Sequence, residues 1–448
     1  MIIKLIQPVM QQRPMDTKLK TRMSPSLALL TIANLTPKTH TIIIQNENVE
    51  MIDFDEPADL AAITVTVDVM DRAVHIAREF RKRGVPVIAG GIHITAQPET
   101  AALFFDAVCV GMAERVWIRI LEDVHNHTLK KIYSDMENIS GSEIVSPDFC
   151  RIDINKYLYS NIVSTSRGCP FQCDFCYNSC ENMLKTYINR PVEHVLKDIL
   201  NMKTRHVLFI DDNFIGNPEW TRKLLAAIKP LKLKWNAAVT SNIGDMPDLL
   251  DEMRDSGCQS LFIGFESINS KSLDSVHKMQ NSVINYERLV EKIHKREIMI
   301  NASFVFGLDE DDPSVFQNTL EWIVRNKIET VTSHILTPYP GTRLYAALEA
   351  EKRIKDSNLS AYNTAHVVFS PKNMTADELY CGYLWIYKNI YKTGCILKRL
   401  PKSGKQRIPY LAFNFLYRKF GKQTEFLCRV FSFDRIGKLS RRISYKLK

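Results

Sequence analysis

Apolar residues come in short, nearly continuous runs separated by amphipathic stretches over most of the chain. IIKLIQP (2–8) is a buried-strand pattern ending at proline, and 26–35 has helical spacing. HTIIIQ (40–45), LAAITVT (60–66), VPVIAGG (85–91) and DAVCVG (106–111) read as four further strands. Between them, 69–83 has an apolar stripe at helical period and stops at Gly84, a good terminator. A helix follows the fifth strand through residue 123. Near-continuous apolar strands alternating with helices predict a parallel sheet covered on both faces, a doubly wound, Rossmann-like α/β unit over 1–130. Ligands on such sheets sit at the carboxyl ends of the strands, here Gln7-Pro8, Thr64-Val65-Thr66, Gly90-Gly91 and Gly111.

Periodicity is lost over HNHTLKK, SGSE and SPD, so 131–154 reads as a linker. A second alternating series then occupies 155–350. Its strands are expected at 161–166, 206–212, 234–239, 260–266, 299–307 and 330–336, with helices at 191–203, 219–229, 246–256, 271–296 and 313–326. Six βα units fit a partial (β/α)6 barrel, and the pattern alone leaves an open sheet as the rival geometry. Residues 351–448 lose the strand pattern and interleave aromatics with cations, predicting a helical C-terminal region.

Composition changes this picture in three places. Of 448 residues, 45% are apolar and 24% charged, ordinary for a globular chain. No signal-peptide pattern opens the chain and no uncharged apolar run approaches the length of a membrane span, so the expected compartment is the cytoplasm. The net charge of +9 is localised: 395–448 carries fifteen Lys/Arg against Glu425 and Asp434, which leaves the body acidic. That tail would suit a solvated segment, an anionic membrane surface or a nucleic acid.

Four of the ten cysteines fall within twelve positions, in SRGCPFQCDFCYNSC. Cys169, Cys173 and Cys176 share one loop after a strand, where three thiolates can face three irons of a cubane and leave the fourth iron open. Zinc is the alternative, with Cys180 as fourth ligand, although no second knuckle or His pair lies nearby. The Cys-x3-Cys-x2-Cys run with Phe175 before the last cysteine resembles the radical S-adenosylmethionine (SAM) superfamily over about 155–350. The resemblance implies a [4Fe–4S] cluster on Cys169, Cys173 and Cys176. SAM would bind the open iron and be cleaved by one electron to a 5′-deoxyadenosyl radical that takes hydrogen from an unactivated carbon.

Other strand ends acquire roles from that resemblance. Asp212, in Asp211-Asp212-Asn213, resembles the motif holding the methionine part of SAM. Glu266 would bond ribose or amino groups, and Phe175 and Tyr177 would line the adenine pocket. Gly307 would allow close approach to a ligand. Tyr339 and His334, near TPYPGT, are weaker site candidates.

PSLALLTIANLTP, the Thr64–Thr66 strand end and IAGGIHITAQPE resemble the cobalamin-binding domain often fused ahead of a radical SAM domain. Thr64 and Thr66 would then bond the nucleotide tail, and Gly90 and Gly91 would let backbone approach it. The Asp-x-His-x-x-Gly of many cobalamin domains is missing: QPVMQQRPMDTK follows the first strand, and His93 is a remote substitute. The resemblance implies cobalamin-dependent methylation of a carbon in an organic or peptide substrate, with a reductant such as flavodoxin or ferredoxin. A radical cyclisation or rearrangement without methyl transfer is the first alternative. A non-catalytic metal module binding nucleic acid is the remote one.

Overall fold

The computed structural model describes residues 1–137, 139–202, 204–274, 283–430 and 435. Two six-stranded, all-parallel sheets dominate it. The first contains β1 (Ile2–Gln7), β2 (Thr41–Asn46), β3 (Leu60–Thr64), β4 (Val87–Gly90), β5 (Ala107–Val110) and β6 (Ile132–Ser134), in the order β2-β1-β3-β4-β5-β6. The reversal at β1 makes the sheet doubly wound, as expected, with a switch point between β1 and β3. The helix Met70–Arg81 buries Met70, Ala73, Ile76, Ala77 and Phe80 on this sheet, the stripe read from its periodicity. The strand β6 is a surprise. It pairs with β5 from within the segment read as linker, and at three residues it is too short to show a period.

After β7 (Ile162–Val163) comes a two-residue antiparallel ladder of β8 (Ser166–Arg167) with β9 (Ile188–Asn189). Next are β10 (His206–Phe209), β11 (Lys234–Val239), β12 (Cys258–Glu266), β13 (Met299–Phe306) and β14 (Thr330–Ile335). The second sheet runs β14-β13-β12-β11-β10-β7, strictly in chain order. Right-handed crossovers in an unreversed sheet put every helix on the same face. The sheet therefore winds as a partial barrel, which separates it from the open doubly wound rival. β14 does not pair with β7, so the barrel is unclosed.

Alternation along the barrel strands sorts their side chains. Val331, Ser333 and Ile335 of β14 face outward against the helix Ala376–Ile390 and its extension. There the hydroxyl of Tyr391 donates to the Val331 carbonyl at 2.8 Å. On the other face a polar layer crosses the bore. Thr332 donates to Asn301 at 3.3 Å, Ser260 to Asn236 at 2.8 Å, and Asn236 meets His206 at 3.3 Å.

The C-terminal region is helical through Val430, as expected. Its basic character is not all on the surface. Arg399 is fully buried and donates to the carbonyls of Ile328, Glu329 and Ile390, while Arg418 turns inward. Residues 275–282 of the expected 271–296 helix, and most of the tail beyond Val430, lie outside the described residues. Among the described residues no helix is long and apolar enough to cross a membrane.

Candidate active site

The cysteine loop is fixed at its base by one buried carboxylate. Asp211, just past β10, accepts the backbone N–H groups of Thr165 and Ser166 at 2.7 and 2.8 Å and both their hydroxyls at 2.9 Å. Burial raises the Asp211 pKa even though these four donors favour its charge. Gly168 closes the turn at φ +77°, where a Cβ would lie 2.5 Å from the Thr186 carbonyl oxygen.

Within the loop, Cys176 N–H donates to the Cys173 carbonyl at 2.9 Å. None of the three cysteines is in a disulfide. Burial pushes the Cys176 thiol up to about 12, and the neighbouring Cys173, Asp212 and Cys169 push the same way. Cys169, Cys173 and Asp212 are thus near enough to Cys176 for their charges to act on it. Among the described residues no three His, Cys, Asp or Glu side chains converge on a single-ion position. A cubane needs no such convergence, because each thiolate takes a different iron. Structural zinc would need a fourth protein ligand, and Cys180, the candidate, is packed away with Ala96, Tyr177, Met183 and Tyr339. The donors therefore fit an iron–sulfur cube with three protein ligands.

The loop is braced from the far side of the barrel. Arg343, after β14, reaches Asp174 at 3.3 Å and Gln172 at 2.9 Å. Tyr177 stacks on Tyr339 with centroids 4.8 Å apart and planes 13° apart. Phe175 packs on the barrel core.

A cavity of about 420 Å3 lies between the two sheets. One wall is the carboxyl edge of the first sheet, with Thr64, Gly90, Gly91 and Gly111; the other includes Arg167, Gly168 and Asp212. Its volume is in the range of small-molecule sites. Asp212 is open to the cavity although protein surrounds it, and burial raises its pKa, with Asp211 raising it further and Arg167 opposing. Gly91 sits at φ +114°, where a Cβ would come within 2.7 Å of the Val65 carbonyl oxygen. Glu114 also lines the cavity. Its Oε1 is buried without a hydrogen-bond partner, 3.8 Å from Arg167.

The cavity gathers Asp212, Thr64, Gly90 and Gly91, and Arg167, Gly168 and Asn178 bring it against the two ends of the cysteine loop; Cys169, Cys173 and Cys176 lie within that loop but are not among the residues lining the cavity. Thr66 is not at this wall: it is exposed and donates to Asp68 at 2.7 Å. Tyr177 lies behind it, and His93 is buried with its ring nitrogen 3.4 Å from the Tyr177 hydroxyl. Glu266 ends β12 in a register shift at φ +63°, an uncommon backbone for a non-glycine residue that often marks a working site. Gly307 differs from its expected role. Its φ is +95°, but the close neighbours are Leu379 and Phe369, so it serves packing of the C-terminal region. Glu114 and Arg167 escaped sequence reading. Both stand beside strand-end glycines, Gly111 and Gly168, which was the available signal.

Residues 163–323 match the radical SAM superfamily. The chain is 29% identical over 412 residues to a bacteriochlorophyllide d C-12(1)-methyltransferase of Chlorobaculum tepidum, covering 89% of each. It shares its fold with OxsB, a cobalamin-dependent SAM radical enzyme, at a TM-score of 0.68 and 13% identity over 93% of this chain and 71% of that one. It also shares its fold with TsrM of Kitasatospora setae, a radical SAM methyltransferase, at 0.60 and 15% over 78% of each. With the cysteine loop, the barrel and the sequence match in agreement, the chain carries a radical SAM domain and is a radical SAM enzyme.

Proposed function

We propose that this enzyme uses cobalamin and SAM to methylate an unactivated carbon of an organic or peptide substrate. The observation that carries the reading is the shared cavity: the carboxyl edge of the doubly wound sheet faces the cysteine loop and Asp212 across it. Cys169, Cys173 and Cys176 hold the cluster. Asp212 accepts from the amino group of SAM, Glu266 bonds its polar groups, and Phe175 keeps the barrel side of the loop packed. Thr64 bonds the cobalamin tail, and the Gly90-Gly91 backbone gives it room. Glu114, whose oxygen lacks a partner, accepts from an amide of the same group.

When bound, the cluster and SAM supply a hydrogen-abstracting radical and cobalamin supplies a methyl group. The protein holds the C–H bond in place and excludes water. A flavodoxin or ferredoxin supplies the electron, in the cytoplasm. The exposed Ile408, Leu416, Phe426 and Leu427, flanked by lysines and arginines, support contact of the tail with anionic lipid over nucleic acid.

The test is an anaerobic assay with SAM, dithionite and methylcobalamin. A methylated product with deoxyadenosine supports the reading. Deoxyadenosine without methyl transfer indicates cyclisation or rearrangement. Replacing Cys169, Cys173 and Cys176 by Ala abolishes the iron chromophore, whereas Cys180→Ala keeps it; the reverse result refutes the ligand assignment.

A further inference from the structure

Beside the end of β14, outside the lining of the cavity already described, three segments distant in sequence bring cations together. Arg13 follows the carboxyl end of β1. Its guanidinium takes Asp16 at 2.8 and 3.3 Å and Thr364 at 2.9 Å. Lys20 shares that one carboxylate at 2.7 Å. Arg418 comes from the C-terminal region, on a stretch of wide, π-type helical winding, Ala412–Lys419. Such winding is rare and is frequent at working sites.

Arg418 is held by ring faces. Tyr417, Phe413, Tyr391 and Tyr387 lie 5.2, 5.4, 5.8 and 5.9 Å from its guanidinium carbon. Its Nε is buried without a hydrogen-bond partner, and no carboxylate of the described residues lies within ion-pair distance. Among the described residues, Arg13 and Lys20 share the Asp16 carboxylate and Arg418 has no carboxylate at ion-pair distance. His334, near the end of β14, adjoins this group. Its Nδ1 lies 3.0 Å from the Thr364 hydroxyl. Burial lowers its pKa to about 3, with Arg13, Lys20 and Arg418 pushing the same way and Asp16 opposing.

Tyr339 connects this group to the cysteine loop. Tyr339, stacked on Tyr177 of the cysteine loop, feels both Arg13 and Cys176. A largely buried guanidinium with no carboxylate partner, beside Arg13 and the half-buried Lys20, calls for an anion, and a guanidinium fork suits carboxylate or phosphate.

We propose that Arg13, Lys20 and Arg418 form the anchor for an oxyanion on the substrate, whose apolar body lies over the neighbouring tyrosines. This deepens the proposed methylation by naming the class of its substrate, and it rests on that reading. The substrate class is then an amphipathic molecule with an acidic group set away from the carbon that reacts.

Calorimetric titration of the reconstituted holoenzyme with 2-naphthoate, 2-naphthyl phosphate and uncharged 2-naphthamide tests this. Binding of at least one anion, and not of the amide, is expected, and the better anion identifies the acidic group. Arg418→Met should weaken that binding by about tenfold or more, while Arg418→Lys retains part of it. Arg13→Gln serves as a second variant if Arg418→Met does not fold. Absent anion binding, equal binding of the amide, or indifference to both arginines would overturn the anchor. The measurement needs no reductant, so its failure is separable from a failure of SAM cleavage or methyl transfer.

Discussion

The Tyr177 hydroxyl lies 3.4 Å from Nδ1 of His93, joining the cysteine loop to the N-terminal domain. Both residues are buried, so the contact substitutes for water on each side. Tyr177→Phe keeps the ring on Tyr339 and leaves the His93 nitrogen without its partner. The expected cost is about 1–2 kcal/mol of stability, with iron content unchanged. Chemical denaturation and iron analysis check it; a loss of iron would mean that the hydroxyl orders the loop.

Three histidines make the fold acid-sensitive. Burial lowers His93 and His206 to about 4 and His334 to about 3. An unfolded histidine takes its proton near 6.5. The unfolded chain therefore binds more protons between that value and the folded ones. Their contribution to stability is fully present above about pH 6.5 and is lost as pH falls toward 4, each adding up to about 1.4 kcal/mol per pH unit. Urea denaturation at pH 7, 6 and 5 should show the decline, and His206→Gln should make it shallower.

Gly90 and Gly91 respond differently to a methyl group. At Gly90 the nearest atom to a new Cβ is 3.6 Å away, and the fold should accept alanine. At Gly91 positive φ and the Val65 backbone at 2.7 Å leave no room. Gly91→Ala should cost about 1–3 kcal/mol and release cobalamin from the reconstituted protein, read by its visible absorption. Cobalamin retained at wild-type level would contradict the placement.

Asp211→Asn replaces an acceptor of four donors with an amide that turns hydrogens toward some of them. A loss of about 2–4 kcal/mol is expected, along with poor cluster retention. Asp212→Asn leaves the clamp intact and should reduce SAM affinity while keeping the iron. Calorimetric SAM binding and iron content separate the two aspartates.

Much of this was legible in the sequence. Strand–helix periodicity located both sheets, and the cysteine spacing located the loop. Some features depended on distance in space. Asp211 and Asp212 are adjacent in sequence, yet one faces the loop base and the other the cavity, because successive residues past β10 point to opposite sides. Thr64 and Thr66 diverge because β3 ends between them. Arg13 and Arg418 are four hundred positions apart, and neither position has a local pattern that marks it. The short β6 was hidden for a different reason: three residues carry no period.

The gap between β7 and β14 has a consequence for how this enzyme diversifies. A closed barrel lines its interior with its own strands, so changing what it accepts means repacking a core. Here the missing seam is bordered by segments outside the sheet: the stretch after β1, the turn at Thr364 and the helices past residue 375. The helices past residue 375 are packed into the barrel core, whereas the stretch after β1 and the turn at Thr364 meet its edge through polar contacts. If the proposed anchor holds the substrate, what the enzyme accepts is set partly by segments that share no strand with the cysteine loop.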